Sequence, residues 1–135
     1  MARVLAALGS KRSIIVHGED GMDEITIAGR TRVAELVNGS VIEYDIGPED
    51  FSIPRGALAD LVVDSAEESA GAIRAVLDGA PGPRRNVILL NAAAAILAAG
   101  AADGWPAAVR IAAKSLDDGA AKRALEILVR VSNAA

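Results

Sequence analysis

The sequence predicts an α/β fold, in which a mixed sheet with a β-hairpin is followed by about four helices. Three observations support this prediction. β-branched and alternating apolar runs occupy residues 13–46. Asn38-Gly39 separates two of these runs, as is typical of a two-residue hairpin turn. From Ser65 onward, apolar residues recur at helical spacing instead. With 135 residues, the chain has room for a single domain, residues 1–135.

Four segments are predicted to be strands. The first contains the β-branched run Ile14-Ile15-Val16, and the second alternates isoleucine with threonine, which indicates one buried face. If the hairpin turn has two residues, Val33 lies opposite Tyr44 and Arg32 lies opposite Asp45. In chain order, the predicted strands are 13–17, 24–28, 32–37 and 40–46.

A short amphipathic helix is predicted before the first strand, within Met1–Arg12. Its apolar run is shorter than that of a secretory signal, and Gly9 is expected to end it. The side chains that it should bury are Val4, Leu5 and Leu8.

Four helices are predicted after residue 65. The first begins with a capping box formed by Ser65 and Glu68. The second, about Arg85–Ala99, is apolar on all sides, so we expect it to be the most buried helix of the chain. The third begins near Pro106, and the fourth covers about 118–132. The other helices are expected to bury Ile73, Val76, Leu77, Val109, Ile111, Leu116, Leu125, Leu128 and Val129.

Composition excludes several classes of protein. A net charge of −4 argues against a broad nucleic-acid interface, which needs a basic surface. The absence of cysteine excludes a disulfide scaffold and a thiolate zinc site, and it suits a reducing compartment. The apolar segment Val87–Ala99 is shorter than the ~20 residues that a membrane span requires. We therefore expect a soluble, cytoplasmic protein.

The loop after the first strand is the strongest candidate for a functional site. It places four carboxylates within six residues, next to glycines that permit a tight loop. Such carboxylates could hold Mg²⁺, which takes one or two of them and leaves its other positions to water and phosphate. On the residue pattern alone, a solvated acidic loop is the favoured hypothesis. The four residues are Glu19, Asp20, Asp23 and Glu24.

Other polar residues attract a functional hypothesis but have simpler explanations. His17, the one histidine, ends an apolar strand and is expected to be structural rather than a base. Arg84 and Arg85 could hold a phosphate, although a solvated collar at a helix start is the simpler interpretation. Asn91, within an alanine run, is expected to hydrogen-bond a neighbouring loop, and Trp105 should cap a helix start.

Five segments of the chain resemble the anthranilate phosphoribosyltransferase family. The first is HGEDGMDE followed by EITIAG, where the family usually has His-Gly, a few residues and then Gly-Leu-Asp-Glu. The others are GPEDF (47–51), SAEESAGAIRAVLDG (65–79), GPRRNVILLNAAAAILAAG (82–100) and SLDDGAAKRALEILV (115–129). The resemblance covers almost the whole chain, but it corresponds only to the C-terminal portion of the family's sequence.

The resemblance implies roles for some of the acidic residues. Asp23 and Glu24 match the pair that binds metal in this family, so they are expected to hold Mg²⁺. Glu19 and Asp20 match no required position and are expected to be solvated. No residue of the chain is assigned a catalytic role, and the residues that bind substrate stay unknown.

The resemblance also implies a function for a larger protein. The complete enzyme would transfer phosphoribose from phosphoribosyl pyrophosphate to anthranilate in tryptophan biosynthesis. The Gly-Thr-Gly-Gly-Asp loop that binds the donor is not found in the sequence, and the family's small N-terminal helical domain is expected to be absent. We therefore expect the chain to be inactive alone and to bind Mg²⁺ weakly.

We further expect the chain to associate, either as a homo-oligomer or with a complementary N-terminal half that covers the sheet edge near 13–17. The alternative is a non-catalytic, stand-alone or engineered subdomain that acts in assembly or binding.

Overall fold

Three strands form the sheet in the computed structural model of this protein, which describes residues 1–134. They are β1 (Arg12–Gly18), β2 (Thr31–Val37) and β3 (Ser40–Ile46), in the order β1-β2-β3. Asn38 and Gly39 both have positive φ, as the predicted two-residue hairpin turn requires. The predicted cross-strand partners of β2 and β3 are confirmed, because Val33 pairs with Tyr44 and Arg32 pairs with Asp45.

The predicted α/β class is confirmed, with a hairpin followed by four helices. The pairing within the sheet differs from the prediction, because both strand pairs are antiparallel where a mixed sheet was expected. Among the described residues, β1 and β3 each have a neighbouring strand on one side only.

The prediction of a strand at 24–28 is wrong. This segment is part of the loop between β1 and β2 and has no partner strand. Ile25 and Ile27 are buried as the alternation predicted, but Thr26 between them is fully buried too. Residues 25–27 are thus buried without a neighbouring strand, and side chains satisfy several of their backbone groups instead.

Five α-helices complete the fold. The first, α1, is the short helix predicted before the sheet; it ends at Ala7, and Gly9 shortly after it has the positive φ that stops a helix. Two single 3₁₀ turns, Pro48–Phe51 and Leu58–Asp60, lie between the sheet and the later helices. The bounds are α1 (Ala2–Ala7), α2 (Ala66–Leu77), α3 (Pro83–Ala98), α4 (Trp105–Asp117) and α5 (Ala120–Ser132).

Helix α3 is the most buried of the five, as predicted. It packs against α4, β1 and α2. Leu89 and Leu90 join Ile25, Ile27 and Val33 in the main hydrophobic cluster, whereas the other two buried residues of α3 belong to a second cluster with Ala102 and Ala108. The residues that α3 buries are Leu89, Leu90, Ala93 and Leu97.

The start of α2 follows the capping prediction in part. The Ser65 hydroxyl accepts a hydrogen bond from the Glu68 backbone N–H at 3.0 Å, which is the predicted cap. The Glu68 carboxylate, however, accepts from the Asp64 N–H at 2.9 Å rather than from Ser65. The reciprocal bond is therefore shifted by one residue.

Several of the predicted core positions are exposed. Val76 and Leu116 are buried, and Leu5, Leu77, Val109 and Leu125 are partly buried. The prediction is wrong for the rest. Helices α1 and α5 leave the side opposite their neighbours open to solvent, Ile73 of α2 lines an open groove next to α5, and Ile111 of α4 is exposed. The exposed positions are Val4, Leu8, Ile73, Ile111, Leu128 and Val129.

A polar network ties the sheet to the start of α4. The Tyr44 hydroxyl donates to Glu35 at 2.7 Å and accepts from the Trp105 indole N–H at 2.9 Å. Glu35 in turn pairs with Arg12 at 3.0 Å. Burial and the neighbouring Glu35 carboxylate raise the pKa of Tyr44 to about 12, since both disfavour the phenolate. Trp105 also contacts Phe51, with ring centroids 5.6 Å apart.

None of the helices in the described part of the chain is both long and apolar enough to cross a membrane.

Candidate functional site

The acidic loop, defined here as residues 18–31, connects β1 to β2 and folds back on itself. The Gly18 N–H donates to the Met22 carbonyl at 2.8 Å, and the Glu19 N–H donates to the Arg30 carbonyl at 2.9 Å. Gly21 has a φ of +92, a conformation that costs other residues energy. The tight turn thus depends on a glycine that the sequence places among the acids.

Two of the four acids hold the loop together. The Glu19 carboxylate accepts from the Arg30 N–H at 2.8 Å and lies directly over Gly29, where a Cβ atom would collide with it. The Asp20 carboxylate accepts from the Met22 N–H at 3.1 Å and from the Thr26 hydroxyl. Both side chains therefore satisfy groups that the turning backbone leaves without a strand partner.

Glu19 and Asp20 are both exposed, as expected, but their hydrogen bonds within the loop were not predicted. The bond from Asp20 to the N–H two residues later is a local pattern that aspartate commonly makes, so sequence reasoning could have found it. The bond from Glu19 to Arg30 spans eleven residues, and it depends on how the loop closes.

The other two acids are free within the same loop. Asp23 and Glu24 are exposed, and their carboxylates make no hydrogen bond or ion pair with any other group in residues 1–134. No group of three or more acidic or histidine side chains that could enclose a metal is found in this range either.

This donor set fits some cations and not others. Two free carboxylates with no third protein ligand suit Mg²⁺, which keeps several waters and completes its shell with substrate phosphates. They do not suit Zn²⁺ or a dedicated Ca²⁺ site, which need three or more protein ligands. The structure thus leaves Asp23 and Glu24 unpaired on a loop that the other two acids brace.

Asn91 of α3 fixes the loop from the helix side. Its amide N–H donates to the Ile25 carbonyl at 2.9 Å, and its amide oxygen accepts from the Ile25 N–H at 3.0 Å. A third bond, from the amide N–H to the Val87 carbonyl at 2.9 Å, holds the side chain against its own helix. The prediction that Asn91 bonds a neighbouring loop is confirmed, and the backbone that it holds comes directly after Glu24.

His17 lies away from these contacts. It is exposed near the end of β1, opposite Arg32, and its ring makes no hydrogen bond within the described residues. We expected His17 to be a structural residue with its hydrogen bonds satisfied, and this expectation is wrong.

The paired arginines before α3 bind protein groups. Arg84 donates to the carbonyls of Asp60 and Val62, both at 3.1 Å. Arg85 pairs with Asp117 of α4 at 2.7 Å, and its side chain is only 17% exposed. The hypothesis of a solvated collar is wrong for both, because each guanidinium is engaged by protein groups. Instead, they join the loop before α2 and the end of α4 to α3.

Comparisons with known proteins agree on one family. Residues 1–122 match the model of the glycosyl transferase family, a/b domain. An anthranilate phosphoribosyltransferase of Nitrosomonas europaea is 50% identical over 133 residues, and one of Rhodopseudomonas palustris strain HaA2 is 50% identical over 135 residues.

Solved structures agree with the sequence matches. The crystal structure of anthranilate phosphoribosyltransferase from Thermus thermophilus superposes on 96% of this chain with a TM-score of 0.85 and 35% identity. The Saccharomyces cerevisiae enzyme in complex with PRPP and Mg superposes on 84% of this chain with a TM-score of 0.74 and 25% identity.

The chain spans well under half the length of the proteins that it matches. The alignment covers 98% of this chain but 39% of the Nitrosomonas europaea protein, and 38% of the Thermus thermophilus chain. The matched part is the C-terminal portion of these proteins.

Proposed function

The chain belongs to the glycosyl transferase family through its α/β domain, and we propose that it is the C-terminal part of an anthranilate phosphoribosyltransferase. The observation that carries this proposal is 50% identity over 98% of the chain to such an enzyme. The complete enzyme would move phosphoribose from phosphoribosyl pyrophosphate to anthranilate and release pyrophosphate.

In this proposal, Asp23 and Glu24 hold Mg²⁺. The bound cation would neutralise negative charge on the pyrophosphate leaving group. The chain's own contribution is to present two carboxylates that no protein group has already engaged. Glu19, Asp20 and Asn91 support that presentation, since they fix the backbone on both sides of the free pair.

The 135-residue chain alone is proposed to be inactive. Its sequence contains no Gly-Thr-Gly-Gly-Asp loop, so nothing in it corresponds to the segment that binds the donor in the family. Orientation of reactants supplies about 7–11 kcal/mol in the best intramolecular cases, and a site without donor contacts forfeits it. Mg²⁺ binding should be weak for the same reason, because the cation relies on substrate phosphates.

The proposed setting is the cytoplasm, with a complementary N-terminal portion or a homo-oligomer as partner. The open side of β1 supports the need for a partner, because an unpaired strand edge invites another chain. The alternative of a non-catalytic subdomain makes the opposite prediction about reconstitution.

The test is reconstitution with the upstream portion of the Nitrosomonas europaea enzyme, co-expressed with this chain. We expect formation of phosphoribosyl anthranilate by the pair, with Mg²⁺ present, and none by either part alone. Asp23→Asn and Glu24→Gln should each lower the rate and weaken Mg²⁺-dependent pyrophosphate binding by tenfold or more, about 1.4 kcal/mol.

Asp103→Asn and Glu43→Gln are matched controls, because both acids are exposed and lie outside the loop. They should leave rate and binding unchanged. Turnover by the chain alone, or a pair that assembles without activity, would contradict the proposal.

A further inference from the structure

Helix α5 has more apolar surface than its neighbours in the chain can cover. At about 100° per residue, its apolar side chains span roughly 200° of the helix circumference, from Ile127 to Val129. A helix that packs on one surface needs an apolar arc of only about 100°. The width of the arc therefore indicates two packing surfaces.

One half of this arc faces the rest of the chain. Helix α5 packs against α4 and α2, and Ala121 and Leu125 are partly buried there. Lys122 pairs with Asp78 at the end of α2 at 2.6 Å, which fixes the orientation of α5. Between α2 and α5 lies an open groove of about 610 Å³, whose apolar lining includes Ile73, Leu77 and Val129.

The other half of the arc, named here the outer face of α5, is open to solvent. Ile127 is 51% exposed, Leu128 is 63% exposed and Val131 is 62% exposed. Ala120 and Ala124 lie on the same side and are exposed as well. These positions recur at three- and four-residue spacing, so they form one continuous stripe rather than scattered exposed residues.

The part of the relatives that this chain does not match is a candidate to cover this stripe. They match this chain with 39% of their own length, so about three fifths of such a protein lies upstream of the matched part. A polypeptide of that size is large enough to cover this stripe, and the hydrophobic effect favours such a contact if the two form one enzyme.

The net charge of the chain disfavours a second copy as the occupant, and the charges on α5 indicate what a partner should offer. Arg123 and Arg130 flank the stripe on one side, and Arg130 makes no ion pair within residues 1–134. The whole chain carries a net charge of −4, so two copies also repel each other overall. A partner segment with apolar side chains and flanking carboxylates fits this surface.

We propose that the outer face of α5 is an interface for the upstream portion of the enzyme, which buries Ile127, Leu128 and Val131. This proposal rests on the proposed function, since it takes the partner from the same enzyme. It places a contact at the helical end of the chain, in addition to the open edge of β1.

Thiol labelling can test the proposal, because the chain contains no cysteine. Leu128→Cys is compared with Val62→Cys, a control at a loop position that is 62% exposed. Each variant is studied in the 135-residue chain and in a chimera. In the chimera, this chain replaces the matched C-terminal portion of the Nitrosomonas europaea enzyme. Any cysteines in the remainder of that enzyme are changed to serine. We expect the labelling rate at position 128 to fall at least tenfold in the chimera and the rate at position 62 to stay the same.

Two results would overturn the proposal. If the cysteine at position 128 stays as reactive in the chimera as in the chain, no upstream segment covers the outer face. If its reactivity in the chain alone falls with protein concentration while Val62→Cys is unaffected, a second copy is the occupant. Co-purification gives a second measurement that needs no chimera, because Leu128→Glu should release the co-expressed upstream portion and Val62→Glu should retain it.

The activity of the chimera separates this proposal from the proposed function. A chimera that forms phosphoribosyl anthranilate while position 128 remains exposed would refute the interface and leave the function in place. A chimera with a protected position 128 and no activity would retain the interface and contradict the function.

Discussion

The acidic loop and helix α5 differ in how their backbone hydrogen bonds are made and in how their apolar side chains are buried. In the loop, side chains from β2, from α3 and from the loop itself bond its backbone, and Ile25 and Ile27 are almost fully buried. In α5, the backbone is satisfied by the helix, but no residue is buried and four large apolar side chains are at least half exposed. The loop is irregular, yet its apolar side chains are covered within this chain. The helix is regular, yet part of its apolar surface is not covered.

This contrast shows that regular secondary structure does not indicate which region is anchored. A helix makes its own hydrogen bonds, so it can form with half its apolar arc uncovered. A loop at this depth must find partners for every polar group, and those partners fix its position. The free pair of acids therefore sits on a rigid base, and the surface that needs a partner lies elsewhere.

The largest expected effect tests whether the loop is an anchored part of the core. Ile27 is completely buried and belongs to the main hydrophobic cluster. Ile27→Ala should lower the free energy of unfolding by about 3 kcal/mol, because it removes buried methylenes and leaves a cavity. Urea denaturation measures this change.

Ile42→Ala on β3 is the matched control, since Ile42 is 52% exposed. It should cost less than about 1 kcal/mol. If the two variants lose the same free energy of unfolding, the loop contributes no more to the core than an exposed strand position does. The contrast with α5 would then disappear.

The next effect tests the connection between α3 and the loop. Asn91→Ala would leave both the N–H and the carbonyl of Ile25 without their partners, at an expected cost of about 2 kcal/mol. Hydrogen exchange at the Ile25 N–H should accelerate at the same time.

Asn86→Ala on the same helix serves as control, because the Asn86 side chain makes no hydrogen bond within the described residues. It should change neither stability nor exchange by a measurable amount. If exchange at Ile25 is as slow in Asn91→Ala as in the parent chain, the loop holds itself without the helix.

The sequence predicts those features of this molecule that depend on neighbouring residues. The hairpin register followed from Asn38-Gly39 and from alternation, and the burial of α3 followed from its uniform apolar character. Asp23 and Glu24 were identified by their match to a family pattern, and the structure leaves both free.

Features that depend on distant residues were not predicted. The segment 24–28 has the alternation of a strand, but the partner that decides its conformation is Asn91, 66 residues from Ile25. The bracing role of Glu19 likewise depends on loop closure. For α5, periodicity identified the apolar side correctly, but it does not say whether the chain supplies a surface to cover it.

A smaller effect, on pH dependence, tests the polar network that joins the sheet to α4. The pKa of Tyr44 is raised to about 12 in the folded chain, against about 10 when unfolded. The folded state thus holds the phenol proton more tightly, so its stabilising effect is complete below pH 10 and is lost as the pH rises from about 10 to 12. Because Tyr44 is partly exposed, solvent screening reduces the effect of this pKa shift, and its contribution to the free energy of unfolding should be about 1 kcal/mol.

Tyr44→Phe isolates this effect from other alkaline titrations. The pKa of Lys122 is also raised, by its hydrogen bond to Asp78, so that ion pair also contributes to the loss of stability in alkaline solution. Lys122 titrates in both proteins, and the difference between their unfolding free energies reports Tyr44 alone. The parent chain should lose its advantage over Tyr44→Phe between pH 10 and 12, and a difference that is constant with pH would contradict the assignment.

The smallest expected effect concerns the outer face of α5 in the chain by itself. Leu128 is 63% exposed, so Leu128→Ala removes few contacts from the folded state, and the free energy of unfolding should change by at most about 0.5 kcal/mol. Leu116→Ala on the neighbouring helix is the contrasting variant, because Leu116 is 7% exposed and its truncation should cost about 2–4 kcal/mol. Both are leucines in helices of the same length, so intrinsic helix propensity cancels in the comparison. A large loss of stability in Leu128→Ala would mean that this leucine is already packed in the isolated chain, and the outer face would then need no further partner.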